Sequence, residues 1–232
     1  MTEYVLISDI HGNAPALQAV LDKEGQDKQY IVLGDIHGLL GFPDETQRLV
    51  QDVAGHVIAG NHDKAIFHYN EGHVNDDALS AFELNHTVSN LSEEQQQWMR
   101  RLPFFQIVKL DGQRVCLAHA MPWPDQASGY ELGNAGIQKS DVTRIASIVS
   151  QDYDWVFHGH THEQYSLDCS RFGHDVQFVN PGTLGYEQEY AVVDTATGDV
   201  SLKQVESTDE DVKSHLKEVM PDDAPSVEQW YY

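Results

Sequence analysis

Short apolar runs, each closed by a cluster of polar residues, recur along the first quarter of this chain. Tyr4-Val5-Leu6-Ile7 reads as a buried strand and ends in Ser8-Asp9-Ile10-His11-Gly12-Asn13. Asn13 then caps a helix to about Glu24, with Pro15 in the first turn and Leu17, Val20 and Leu21 on one face. Tyr30-Ile31-Val32-Leu33 is a second strand, closed by Gly34-Asp35-Ile36-His37-Gly38. A helix from Asp44 to about Ala54 follows, and a third strand, His56-Val57-Ile58-Ala59, closes on Gly60-Asn61-His62-Asp63. Strand, polar loop, helix and strand again imply right-handed crossovers and parallel pairing. All three polar loops therefore lie along one edge of one sheet, where open α/β sheets place their ligand sites.

The middle of the chain is helical. Asp76 to about Asn90 carries Ala78, Leu79, Phe82 and Leu84 as its apolar set, and Ser92 with Gln95 forms a capping box that opens a helix to Arg101, stopped by Pro103. This 76–101 segment is read either as a lid over the site or as a packing excursion. Phe104–Lys109 and Gln113–His119 flank Leu110-Asp111-Gly112, a hairpin signal. A Gly-rich aromatic loop runs from Met121 to Gly136, and Lys139 to about Gln151 reads as a helix with Val142, Ile145, Ala146 and Val149 at helical spacing. Asp154–Phe157 is a short strand that leads into His158-Gly159-His160-Thr161-His162. Strands near Val176–Val179, Tyr190–Asp194 and Val200–Val205 are expected to form a second, largely antiparallel sheet, with Asn180-Pro181-Gly182-Thr183 as a turn between them. Residues 208–218 are compatible with a helix, and residues 221–232 read as a loosely attached tail, so one domain is expected over 1–206 and a C-terminal helix and acidic tail over 207–232.

Charge changes the picture more than the apolar content does. Fourteen Lys and Arg stand against 37 Asp and Glu, a formal charge of −23, and the excess is spread along the chain. Such a surface fits a protein working in molar salt, where self-repulsion is screened within about 3 Å. It argues against a nucleic-acid groove, which needs clustered Lys and Arg, and against anionic membranes. Cys116 and Cys169 are too few for a disulfide framework or a zinc knuckle, and Cys116 falls in the apolar run Val115–Ala118 as a small core residue. With no leader-like start and no apolar run near the ~18 residues of a membrane span, the expectation is a soluble, cytoplasmic protein. Trp230, Tyr231 and Tyr232 are read either as a frayed end or as a surface for a second copy in a homo-oligomer.

The polar residues at strand ends are Asp9, His11, Asp35, Asn61, His62, His119, His160 and His162. Carboxylate, imidazole and amide oxygen without thiolate is a ligand set for Mn, Fe, Co, Ni or Zn. Seven such groups besides His62 exceed what one ion takes and suit two divalent ions sharing Asp35. Two ions about 3.5–4 Å apart clamp the attacking and leaving oxygens of a displacement at phosphorus. Of the 13 histidines, no role is assigned to His56, His68, His73, His86, His158, His174 or His215, and His37 is not read as a ligand.

In order, the blocks Asp9-Ile10-His11, Gly34-Asp35, Gly60-Asn61-His62-Asp63, His119 and Gly159-His160-Thr161-His162 resemble the signature of the calcineurin-like metallophosphoesterase superfamily. Ile7–Asn13 and Asn180-Pro181-Gly182-Thr183 are similar to its small prokaryotic phosphodiesterase group. The resemblance implies an α/β fold, a four-layer α/β/β/α sandwich of two mixed sheets flanked by helices. It implies that Asp9, His11, Asp35 and His162 hold one metal, that Asp35, Asn61, His119 and His160 hold the other, and that manganese is the first choice of ion. It also implies that His62 is the general acid for the leaving oxygen, with Asp63 as its partner. The implied activity is a phosphodiesterase on a small or cyclic nucleotide-type diester, attacked by water activated between the ions. A phosphomonoesterase or nucleoside-polyphosphate hydrolase stays open beside it, as does a non-catalytic scaffold on the same fold. Three departures bear on substrate: Ala120 follows His119 where this group usually has glycine, residues 182–187 lack a common Pro-Arg, and no Asp-Arg-Gly follows Asp35. The last of these favours diesters over phosphoprotein.

Overall fold

A computed structural model describes residues 2–38, 40–70, 78–121, 136–206 and 208–219, with the backbone alone at 67–70 and 78–82. β1 (Glu3–Ile7), β2 (Gln29–Val32) and β3 (Ala54–Val57) are parallel and adjacent, joined by α1 (Ala14–Glu24) and α2 (Pro43–Val53). Side chains alternate across the sheet with period two. Val5 and Ile7 therefore face Leu17, Val20 and Leu21 of α1, while Tyr4 and Leu6 face inward. Asn13 caps α1 as its sequence position predicts, its Oδ1 accepting from the Ala16 amide at 3.0 Å.

Past β3 come α3 (Asn61–Asn70), α4 (Ala78–Asn90) and α5 (Glu93–Arg100), the last opened by the predicted Ser92–Gln95 capping box. The Met121–Gly136 loop and the 221–232 tail lie outside the described residues except at Met121 and Gly136. β4 (Phe105–Leu110) and β5 (Gln113–Ala118) form the predicted hairpin, with Asp111 and Gly112 both at positive φ. α6 (Val142–Val149), β6 (Trp155–Phe157), β7 (Tyr165–Asp168) and β8 (Gln177–Asn180) follow, then β9 (Glu189–Asp194), β10 (Asp199–Gln204) and α7 (Asp209–Val219).

The strands form two five-stranded mixed sheets, in the orders β10-β9-β1-β2-β3 and β4-β5-β6-β8-β7, flanked by seven α-helices among the described residues. Three apolar layers make the sandwich. Tyr4, Leu6, Ile31 and Leu33 of the first sheet meet Val115, Leu117, Trp155, Phe157 and Val179 of the second between the sheets. Cys116, Ala118, Val156 and Phe178 face outward onto Val142, Ile145, Ala146 and Val149 of α6. Each fully buried Leu, Ile or Phe contributes on the order of 1.5–3 kcal/mol. α7 docks through Val212 and Leu216 on Leu40 and Phe42. No helix among the described residues is long and apolar enough to cross a membrane.

The sheet assignment of the C-terminal strands differs from the expectation. β9 and β10 belong to the first sheet, where β9 pairs antiparallel with β1, and only β8 joins the second sheet. β9 is buried on both faces, Tyr190 and Val192 toward the outer helices and Ala191 and Val193 toward the other sheet. Such a run must lie inside a covered sheet, but its pattern does not say which one. The second sheet is also more parallel than expected, because β5, β6 and β8 run together. β7 has no counterpart in the apolar pattern: it is an edge strand, and of its residues only Tyr165 is buried.

Candidate metal centre

The sequence-predicted ligands converge where the C-terminal ends of both sheets meet. After β1 the chain turns through Asp9 and His11, after β2 through Asp35, and after β6 through His160 and His162; all five carry positive φ, between 50° and 70°. Asp and His enter this left-handed region more readily than most residues, yet each instance costs on the order of 1–3 kcal/mol. A backbone ladder holds the turns: His11 N donates to Asp35 O at 2.9 Å, Asp9 N to Gly34 O at 3.1 Å and Gly159 N to His119 O at 3.0 Å. The third polar stretch is not a loop throughout, since Asn61, His62 and Asp63 form the first turn of α3. Gly60 before it has no substitute, because a Cβ there would run into the Asp35 carboxylate.

Two ligand groups result. In the first, His11 Nε2 and His162 Nε2 lie 3.2 Å apart, and His162 Nε2 lies 3.2 Å from Asp9 Oδ1. In the second, Asn61 Oδ1 lies 2.8 Å from His160 Nδ1 and 3.1 Å from His119 Nε2, and the latter lies 3.2 Å from Asp35 Oδ2. Ligands around one ion at ~2.0–2.2 Å stand roughly 3.0–3.4 Å from one another, so these spacings fit a divalent ion in each group. The Asp–His sets Asp9/His11/His162 and Asp35/His119/His160 each bring their donor atoms within 4.8 Å of one another. Asp9 Oδ1 is buried without a hydrogen bond, which an acceptor-only carboxylate oxygen tolerates if a cation takes its lone pair.

The groups around each ring decide which nitrogen is open. His119 Nδ1 donates to Leu33 O at 2.7 Å, which leaves Nε2 as the ligating atom. Burial pulls the His119 imidazole down, but Asp35 and Asp9 more than reverse this and raise it to about 10. His11, buried and facing His62 and His162, is pushed down to about 4 despite Asp35 and Asp9. Burial would raise both carboxyls, yet the histidines around them, His119 foremost, hold Asp9 and Asp35 below the usual carboxylate range.

His62 sits at the edge of this cluster, its ring 4.8 Å from that of His11, and its amide donates to Asp35 Oδ1 at 2.8 Å. The expected pairing of His62 with Asp63 is corrected here. The Asp63 carboxylate accepts from the amides of Ile36, His37 and Gly60 and from His37 Nδ1, at 2.9–3.2 Å. As the third residue of α3 it reaches back to the Gly60 amide at the helix start. The loop after β2 packs against that turn and brings the Ile36 and His37 amides to the same carboxylate. His62 Nδ1 donates instead to Glu83 Oε1 of α4 at 2.8 Å. Burial lowers the His62 imidazole, but Glu83 and Asp35, with Asp63 acting through its charge at a distance, raise it to about 9.

Three contributors escaped the sequence reading. Glu83 is one, and its signal was an acidic residue beside the apolar stripe of α4. Asn180 is another: its Nδ2 donates to Gly159 O at 3.2 Å and Thr161 Oγ1 at 3.0 Å, pinning the turn that carries His160 and His162. Tyr186 is the third, its ring 5.6 Å from His162 and 5.2 Å from His11; nothing in its sequence context marks it. Of the histidines left without a role, buried His158 pairs with Tyr165 Oη at 2.7 Å, while His86 and His215 both donate to Gly41 O. His37 is engaged by Asp63 and lies outside the ligand groups.

Known proteins share this arrangement of the chain. A metallophosphoesterase from Sphaerobacter thermophilus has the same fold, with a TM-score of 0.75, 24% identity and 95% of each chain covered. A hypothetical protein from Pyrococcus horikoshii superposes with a TM-score of 0.79 at 22% identity, over 100% of this chain and 98% of its own. An uncharacterized protein of Methanocaldococcus jannaschii is 24% identical across 95% of this chain and 93% of itself. Residues 3–201 match the model of the calcineurin-like phosphoesterase superfamily domain. A match that runs from β1 into β10 takes in both sheets and both ligand groups, and it makes the chain a member of the calcineurin-like phosphoesterase superfamily.

Proposed function

We propose that this protein is a di-metal phosphodiesterase acting on a small or cyclic nucleotide-type diester, with manganese as its ion and molar salt as its setting. One observation carries the reading: the sets Asp9/His11/His162 and Asp35/His119/His160 lie side by side, and the His62 imidazole stands at their margin, where it clusters with His11 and Asp35. Asp9, His11, His162 and Asp35 would hold one ion, and Asp35, Asn61, His119 and His160 the other. Ions so held supply a nucleophile from water at neutral pH and neutralise charge on the phosphate. The residues do the rest. Leu33 O keeps the His119 ring turned with Nε2 inward, and the amide of His62 holds one Asp35 oxygen so that the other faces His119. His62, hydrogen-bonded through Nδ1, offers Nε2 as proton donor to the departing oxygen.

The test is hydrolysis of bis-p-nitrophenyl phosphate in molar KCl by metal-stripped protein titrated with Mn, with the p-nitrophenyl monoester alongside. Mn-dependent turnover that prefers the diester supports the proposal. Preference for the monoester moves the reading to a phosphomonoesterase. No turnover with Mn, Fe, Co, Ni or Zn, while calorimetry counts two bound ions, replaces it with a non-catalytic scaffold.

A further inference from the structure

We propose that Glu83 is the positioning residue of His62: a carboxylate delivered by α4 fixes the ring that the sequence pattern pairs with Asp63. The inference rests on the reading of His62 as proton donor. The Nδ1–Oε1 distance is 2.8 Å, and the Glu83 side chain is only 10% exposed against 32% for His62. An ionised carboxylate only accepts hydrogen bonds, so it holds the proton on Nδ1 and leaves Nε2 as the nitrogen that meets substrate. A third-exposed histidine without such an anchor would exchange among staggered rotamers and hold that geometry for only part of the time.

Glu83 is itself held in place. Residues three and four apart share a helix face, and on that face of α4 His86 donates through Nε2 to Gly41 O at 3.1 Å while Thr87 is buried. His215 of α7 donates to the same carbonyl at 2.9 Å, so α4 and α7 are tied to one point of the loop after β2. Leu84 anchors the neighbouring face among Ile66, Leu91 and Met99. The 76–101 segment is thus more than a packing excursion, since it brings a group to the margin of the metal centre.

The experiment compares wild-type, Glu83→Ala, Glu83→Gln and His62→Ala proteins, each loaded with metal, on bis-p-nitrophenyl phosphate and on diphenyl phosphate. Ion stoichiometry and unfolding midpoint are measured alongside. Phenolate needs a proton to leave and p-nitrophenolate does not. Glu83→Ala and His62→Ala are both expected to lose about 10²-fold on diphenyl phosphate and less than about 3-fold on the nitrophenyl diester, the range of one acid–base group. Glu83→Gln keeps an oxygen acceptor of the same reach and is expected to recover most of the loss. Equal losses on both substrates for Glu83→Ala, with His62→Ala selective, overturn the role of Glu83 alone. Equal losses for His62→Ala overturn the proton-donor reading and this proposal with it. A variant-free arm decides if Glu83→Ala does not fold: 1H–15N correlation of the His62 ring in zinc-loaded wild-type protein is expected to show hydrogen on Nδ1, and a bare Nδ1 overturns the proposal.

Discussion

Replacing Asp63 by alanine removes the acceptor of four hydrogen bonds beneath the metal centre. The amides of Ile36, His37 and Gly60 and the Nδ1 of His37 all end on this one carboxylate, at 3.2, 3.1, 2.9 and 3.1 Å. Asp63 is fully buried, as is His37, so water does not reach the donors without rearrangement. Each buried donor left unsatisfied costs about 1–3 kcal/mol. Three amides give a cost of about 3–6 kcal/mol after some relaxation, a large share of the ~5–15 kcal/mol that holds a domain folded. Asp63→Asn retains one oxygen and turns an NH2 toward the remaining donors, so it is expected to lose a comparable or slightly smaller amount. Both changes also loosen the register between the loop after β2, which carries Asp35, and the turn that carries Asn61. The assay is urea unfolding of the metal-stripped protein, followed by calorimetric titration with Mn. The expected result is a lowered midpoint with weakened ion binding, and activity that falls equally for good and poor leaving groups. A loss of stability below about 1 kcal/mol for Asp63→Ala would refute the clamp. So would a fully stable Asp63→Asn protein that fails only on poor leaving groups, because that pattern belongs to a partner of the general acid.

Further outcomes follow from the same geometry. Gly60→Ala drives a Cβ into the Asp35 carboxylate, and ion binding measured by calorimetry is expected to fall at least tenfold; undiminished affinity would show that the turn can give way. His119, raised to about 10, holds a proton on Nε2 in the metal-free protein at pH 7 and must release it to ligate. Ion affinity should therefore rise with pH toward about 10 and fall as acid returns the proton, and calorimetry in buffers of different ionisation enthalpy should detect about one proton released; no release would contradict the assignment of Nε2. With a formal charge of −23, the unfolding midpoint should rise by about 5 °C or more between 0.1 and 2 M KCl as the Debye length shrinks from about 10 to 2–3 Å; an unchanged or lower midpoint would count against a molar-salt setting.

Much of the fold was legible because it is encoded over short distances. Asn13 as a helix cap, Ser92 with Gln95, and Asp111-Gly112 between two apolar runs each act on neighbours within a few residues. The continuous apolar run of β1 called for a strand covered on both faces, and the helix that follows it called for parallel pairing with β2. Asp9, His11, Asp35 and Asn61 could be collected from sequence because parallel β-α-β connections force successive strand ends to the same edge. His119, His160 and His162 follow strands of the other sheet and were joined to them by the family resemblance. What failed were particular pairings between distant segments. β9 is equally apolar on both faces, so its pattern suits either sheet, and only the free edge of β1 places it in the first.

The sequence by itself therefore determined most of the elements and placed the candidate ligand residues at strand ends, since both depend on local periodicity and chain order; their division between two ions is what the family resemblance implies. The tertiary structure alone decided the partners. Asp63 adjoins His62 in the chain, yet the first turn of α3 aims its carboxylate at the loop after β2. Glu83 lies 21 residues away and reaches the ring because α4 packs across it. A carboxylate carries no mark of the donor it will meet. That choice belongs to the packing of whole elements, where the burial of many apolar side chains outweighs the preference of any one polar pair.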